Sequence, residues 1–80
     1  MFYTYRYSVD GRKFDRYYEK WENAQKQLLR DALSLRKDGA KKISSADYFN
    51  AEKGFYIYEK EYEHKGSKFH LSIIDCYFSD

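Results

Sequence analysis

The chain has 80 residues, 42% hydrophobic and 35% charged, with a formal net charge of +2. That length gives a single domain, residues 1–80, with a thin core, and an aromatic content of 21% argues against disorder. The lone cysteine, Cys76, excludes an intramolecular disulfide framework.

Ten tyrosines and six phenylalanines supply most of the hydrophobic area. A tyrosine-rich core requires each hydroxyl to reach water or a partner, so many rings are expected half-exposed on sheet faces. The N-terminus, MFYTYRYSVDG, lacks the apolar run of a signal peptide. No stretch approaches the ~18 apolar residues of a membrane span, and the expected setting is the cytoplasm. Charge is uneven along the chain. Residues 1–42 hold 11 Lys and Arg against 6 Asp and Glu, and residues 43–80 hold 4 against 7, so the halves carry +5 and −3.

Residues 2–9 alternate, with Tyr3, Tyr5, Tyr7 and Val9 on one face and Phe2, Thr4, Arg6 and Ser8 on the other. Asp10-Gly11 is a strong two-residue hairpin signal. Pairing Val9 with Arg12 then sets Tyr7 opposite Phe14, Arg6 opposite Asp15 and Tyr3 opposite Tyr18. Aromatic pairs meet on one face and an opposite-charge pair on the other, which favours a second strand over residues 12–18. The competing reading is a longer helix capped by Asp15, because Phe14, Tyr17, Tyr18 and Trp21 share a helical stripe.

Trp21 to Gly39, WENAQKQLLRDALSLRKDG, is the one convincing helix. At 100° per residue, Trp21, Ala24, Leu28, Ala32 and Leu35 fall within about 80°, with Leu29 and Leu33 extending the stripe. Asp31 and Gln27 are placed on the opposite, solvated face. Arg36 and Lys37 suit the negative end of the helix dipole, and Gly39 suits a left-handed stop. The start lacks a side-chain cap.

Residues 41–49, 55–63 and 68–78 read as three further strands, the last two joined by His64-Lys65-Gly66-Ser67. Pairing His64 with Ser67 sets Glu63 opposite Lys68, Glu61 opposite His70, Tyr62 by Phe69 and Tyr58 by Ile73. One face then carries Tyr56, Tyr58, Tyr62, Phe69, Leu71 and Ile73 and is expected to meet the helix. The other carries Glu59, Glu61, Glu63, Lys68 and His70 near the turn, and Phe55, Ile57, Ile74 and Cys76 at the far end. The order is β-β-α-β-β-β. The expected fold is α+β, an antiparallel sheet with the helix packed on one face.

Chemistry is sparsely signalled. His64, His70 and Cys76 are the soft metal ligands, without zinc spacing, and six residues separate His70 from Cys76, ~20 Å along a strand. No basic neighbour activates Cys76. Glu59, Glu61 and Glu63 form a surface row, read as a solvated sheet edge that discourages aggregation. The four glycines are scattered at turns and form no phosphate loop. No catalytic residue, metal or cofactor is assigned, and the chain is read as no enzyme.

Two binding readings remain. The first is a protein interface. One helix covers one sheet face, leaving Phe55, Ile57 and Ile74 beside Glu59, Glu61 and Glu63, an apolar patch with a charged rim. Such a patch also suits a homodimer seam. The second is nucleic-acid binding by the first hairpin, where Arg6, Arg12, Lys13 and Arg16 interleave with Tyr5 and its neighbouring rings. No RNP1-like run accompanies them.

The YSVDGRKF hairpin, WENAQKQLLRDAL helix and FYIYEKEYE strand, in a compact proline-free chain, resemble in layout small proteins of phages and mobile elements. Anti-CRISPR and other anti-defence inhibitors are among these. The resemblance implies a partner that is a large host protein or nucleoprotein complex, blocked by occlusion, and transfers no residue role. The acidic row would suit mimicry of a nucleic-acid backbone, against which the net charge of +2 counts.

Overall fold

Local pattern accounts for every element in the structure, a computed structural model that describes residues 2–52 and 54–76. Two hairpin strands, β1 (Phe2–Val9) and β2 (Arg12–Tyr18), precede the helix α1 (Trp21–Lys37). Three strands follow, β3 (Lys41–Asn50), β4 (Phe55–His64) and β5 (Ser67–Cys76). The fold is α+β in the expected order. Asp10 and Gly11 (φ 49° and 86°), and Lys65 and Gly66 (φ 50° and 81°), supply the paired left-handed residues that two-residue hairpins need. Both hairpin registers follow, with Tyr7 opposite Phe14 and Arg6 opposite Asp15 in one, and Tyr62 opposite Phe69 and Glu61 opposite His70 in the other.

The helix starts at Trp21, so the longer helix from Asp15 does not form. Lys20 stands at its N-cap without a side-chain hydrogen bond. Its end is firmer. Gly39 adopts φ 95°, its N–H donates to the Arg36 carbonyl, and the Ala40 N–H donates to the Leu35 carbonyl. This double closure satisfies two terminal carbonyls and turns the chain into β3.

The five strands form one sheet in the order β2-β1-β5-β4-β3, antiparallel at every step. The two hairpins therefore join through β1 and β5, paired from Phe2 opposite Cys76 to Val9 opposite Phe69. The Asp10 N–H reaches the Lys68 carbonyl at 2.9 Å, and the Lys68 N–H reaches Asp10 Oδ1 at 2.8 Å, which ties the first turn to the start of β5. The Lys68 N–H, with the Ser67 side chain, holds the Asp10 carboxyl below its ordinary range. Edge strands β2 and β3 point the same way. The helix, ~26 Å long at 1.5 Å per residue, returns the chain along the sheet between them.

Ala24, Leu28, Ala32 and Leu35 of α1 pack on Tyr5, Tyr58, Tyr62, Leu71 and Ile73 of the sheet. The small alanines leave room for the broad tyrosine rings beneath. Two expectations for the helix are corrected here. Leu29 and Leu33 do not extend the buried stripe and stay 44% and 53% exposed. Asp31 is not on a fully solvated face. The Tyr5 hydroxyl, 2% exposed as a residue, donates to Asp31 Oδ2 at 2.7 Å, and Gln27 Nε2 donates to Oδ1 at 3.2 Å. A buried phenol needs an acceptor, and Asp31 lies close to Ala24 on the helical wheel, so the contact pulls that flank inward.

Candidate interaction face

Strand alternation and register place one set of side chains on the sheet face away from α1. At one end, Tyr17 and Ile74 flank Thr4 across the central strands, and Tyr48 stands opposite Ile57. Tyr17 and Tyr48 are 68% and 50% exposed, and Phe2 is also exposed, whereas Ile57 and Ile74 are half-buried. Thr4 and Ser72 are buried at the floor. The small side chains of Ser8 and Ser72 leave a shallow recess of about 430 Å³, lined also by Ile57, Ile74, Arg6, Lys13, Glu59 and His70.

The middle of the face is polar. Arg6 grips Asp15 with two bonds, Nε to Oδ1 at 2.9 Å and Nη2 to Oδ2 at 3.1 Å, and this holds the Asp15 carboxyl below its usual range. His70 Nε2 lies 3.1 Å from Glu59 Oε2 and 4.0 Å from Glu61 Oε1. Lys68 and Lys41 flank Glu63 from the neighbouring strands. The register shift between Lys42 and Ser44 marks a bulge at Ile43. Ile43 is exposed and lines a shallow cleft with Glu61, Lys68 and His70.

Ile57, Glu59, Glu61, Glu63 and Ile74 thus share a face, as their alternation predicts. Phe55 pairs with Asn50 and Cys76 with Phe2, and the side chains of both lie outside the described residues. The acidic row is not at a sheet edge, contrary to expectation. β3 pairs along β4 from Lys41 to Asn50, so β4 is interior and the row runs down the middle of an open face. Tyr17, Tyr48 and Ile43 were not singled out for this face. The pairing of β3 with β4 brings in Tyr48, and no local pattern signals it.

The residues of the basic hairpin do not come together. Tyr5 is corrected from a candidate stacking ring to a core residue, its hydroxyl held protonated by burial and by the Asp31 carboxylate. Arg12 and Arg16 pair with Val9 and Tyr5 and alternate toward the helix side, whereas Arg6 and Lys13 lie on the opposite face.

Two recesses on the helix side are lined by described residues. One, about 430 Å³, lies between the first hairpin and the helix end, lined by Tyr7, Phe14, Arg16, Asp31 and Asp38 among others. Burial and the carboxylates of Asp31 and Asp38 raise the Tyr7 hydroxyl above its ordinary value. The other, about 360 Å³, gathers Tyr3, Trp21, Gln25, Asp47, Tyr56 and Tyr58. Among the described residues, no group of three or more His, Cys, Asp and Glu is placed to hold a metal ion, and no helix is long and apolar enough to cross a membrane. Comparison with known protein families, characterised proteins and solved structures finds no match.

Proposed function

We propose that this protein is a non-enzymatic binding module that docks its helix-free sheet face on a partner protein. One observation carries the reading: α1 covers one side of the sheet, while the other side leaves Phe2, Tyr17 and Tyr48 exposed at the end that holds Ile57 and Ile74. Tyrosine-centred apolar surface with a charged surround is the anatomy of an interface. Glu59, Glu61 and Glu63 favour a partner with a basic rim. In keeping with the layout it resembles, the module acts in the cytoplasm as a phage or mobile-element inhibitor, occluding a surface of a larger host protein or nucleoprotein complex. The nucleic-acid reading has less support, because its cations are divided between two faces and Tyr5 is buried.

The test is affinity capture from host lysate with mass spectrometry, alongside light scattering of the purified protein. Tyr17→Arg with Tyr48→Arg changes two exposed side chains and is expected to abolish capture of one defined partner. Leu33→Arg, on the outer flank of the helix, is expected to leave capture intact. The reverse pattern would overturn the assignment of the face. A stable dimer of the wild type that the double variant dissociates would reassign it as a seam between copies.

A further inference from the structure

Trp21 opens α1 and stands over the end of the sheet. The rings of Tyr3, Tyr56 and Tyr58 lie with centroids 5.6, 5.6 and 5.7 Å from it, at interplanar angles of 77°, 82° and 83°. Alternation along β4 puts Tyr56 and Tyr58 on one face, and β1 supplies Tyr3 from two strands away. Aromatic walls at near right angles are thereby assembled from three separate elements.

Only Tyr58 of the four is buried. Tyr3, Trp21 and Tyr56 are half-buried, and the recess between them, about 360 Å³, is at the lower end of the range for small-ligand sites. Asp47 of β3, opposite Tyr58 in the ladder, lines the same recess and accepts a hydrogen bond from the Tyr56 hydroxyl. No lysine or arginine is among its described lining residues.

Aromatic faces are electron-rich, and they attract cations through the ring quadrupole. A carboxylate at the rim adds a full negative charge. Compact cations such as ammonium are strongly hydrated and would exchange that water poorly for rings. An alkylated ammonium spreads its charge over methyl groups that pack against the walls. We propose that this recess is an aromatic cage for a soluble quaternary ammonium ligand of the choline class, with Trp21, Tyr3, Tyr56 and Tyr58 as walls and Asp47 as counter-charge. The cage lies on the helix side and is independent of the interface proposed on the opposite face.

Trp21 is the only tryptophan, so its emission reports the cage directly. The intact protein is titrated with choline at constant ionic strength, and in parallel with 3,3-dimethyl-1-butanol, the neutral carbon isostere. Choline is expected to change the emission saturably and the isostere is not. Asp47→Asn is expected to weaken choline by about tenfold. Tyr56→Leu removes a wall and abolishes the response, while Tyr56→Phe keeps the wall and stays within about twofold of wild type. Thermal melts establish that each variant is folded. No saturable change with choline, an equal response to the isostere, or a response only to phosphatidylcholine vesicles would each overturn the proposal.

Discussion

The Tyr5–Asp31 hydrogen bond joins the centre of the sheet to the helix, and its removal has a calculable consequence. Tyr5→Phe keeps the ring and deletes one oxygen at a site only 2% exposed. The lost bond, 2.7 Å to a carboxylate, belongs to the class contributing ~1.5–3 kcal/mol. Asp31 is half-buried and keeps the Gln27 bond, so water recovers part of that loss. A net cost of about 1–2 kcal/mol remains. For a domain of this size, that is a fall of roughly 4–16 °C in Tm. Urea denaturation gives the free energy, and an unchanged m value would show that the native and unfolded ensembles are otherwise alike. Asp31→Ala should cost a similar amount, and the double variant little more than either, a coupling of about 1 kcal/mol or above. If both single changes stay within about 0.5 kcal/mol of wild type, as for ordinary surface positions, or if they simply add, the bond does not hold the helix to the sheet.

Leu28→Ala, at a fully buried position, is expected to destabilise by about 2–5 kcal/mol, whereas Leu33→Ala should stay within about 0.5 kcal/mol. Chemical denaturation of the pair checks which flank of the helix is buried. At high pH, the raised hydroxyls of Tyr5, Tyr7 and Tyr56 contribute stability that is full below the unfolded tyrosine value of about 10. That stability declines as pH rises above it, so Tyr5 should ionise, by ultraviolet titration, together with unfolding. At low pH, the lowered carboxyls of Asp10 and Asp15 act in the opposite sense. Their contribution is present above the unfolded value of about 3.9 and is lost as pH falls through the folded values. An Asp10→Ala, Asp15→Ala variant should show a shallower acid transition by circular dichroism. Gly39→Ala meets only ordinary contact with His64 Cε1 at 3.9 Å, so its expected cost of about 1–2 kcal/mol is backbone strain at φ 95°; an unchanged melting temperature would contradict that origin.

Hairpins and helix stop were legible because their causes are local. Asp10-Gly11 and Lys65-Gly66 fix the turns, the turns fix register, and register fixes which side chains share a face. Gly39 marks the helix end by the same kind of reasoning. That Ile57, Glu59, Glu61, Glu63 and Ile74 share one face followed from alternation, whereas the packing of α1 on the opposite face decided that theirs is helix-free.

Other features were out of reach because they depend on partners distant in the chain. Alternation says that Glu59, Glu61 and Glu63 form a row, but only the pairing of β3 with β4 makes that row interior and sets Tyr48 beside Ile57. Periodicity ranks Leu33 above Asp31 for burial, yet the helix turns its Asp31 flank toward the sheet, where a buried phenol needs an acceptor. The tyrosines of β1 and β4 were visible as core candidates, but Tyr3, Trp21, Tyr56, Tyr58 and Asp47 become one recess only when β5 inserts between their strands. The sequence by itself determined the elements, the turns and which side chains share a face within each hairpin, since these rest on backbone stereochemistry and two short periods. Tertiary structure decided which strands are neighbours and which flank of the helix is covered, because those follow from side-chain packing and hydrogen bonding summed across the whole chain.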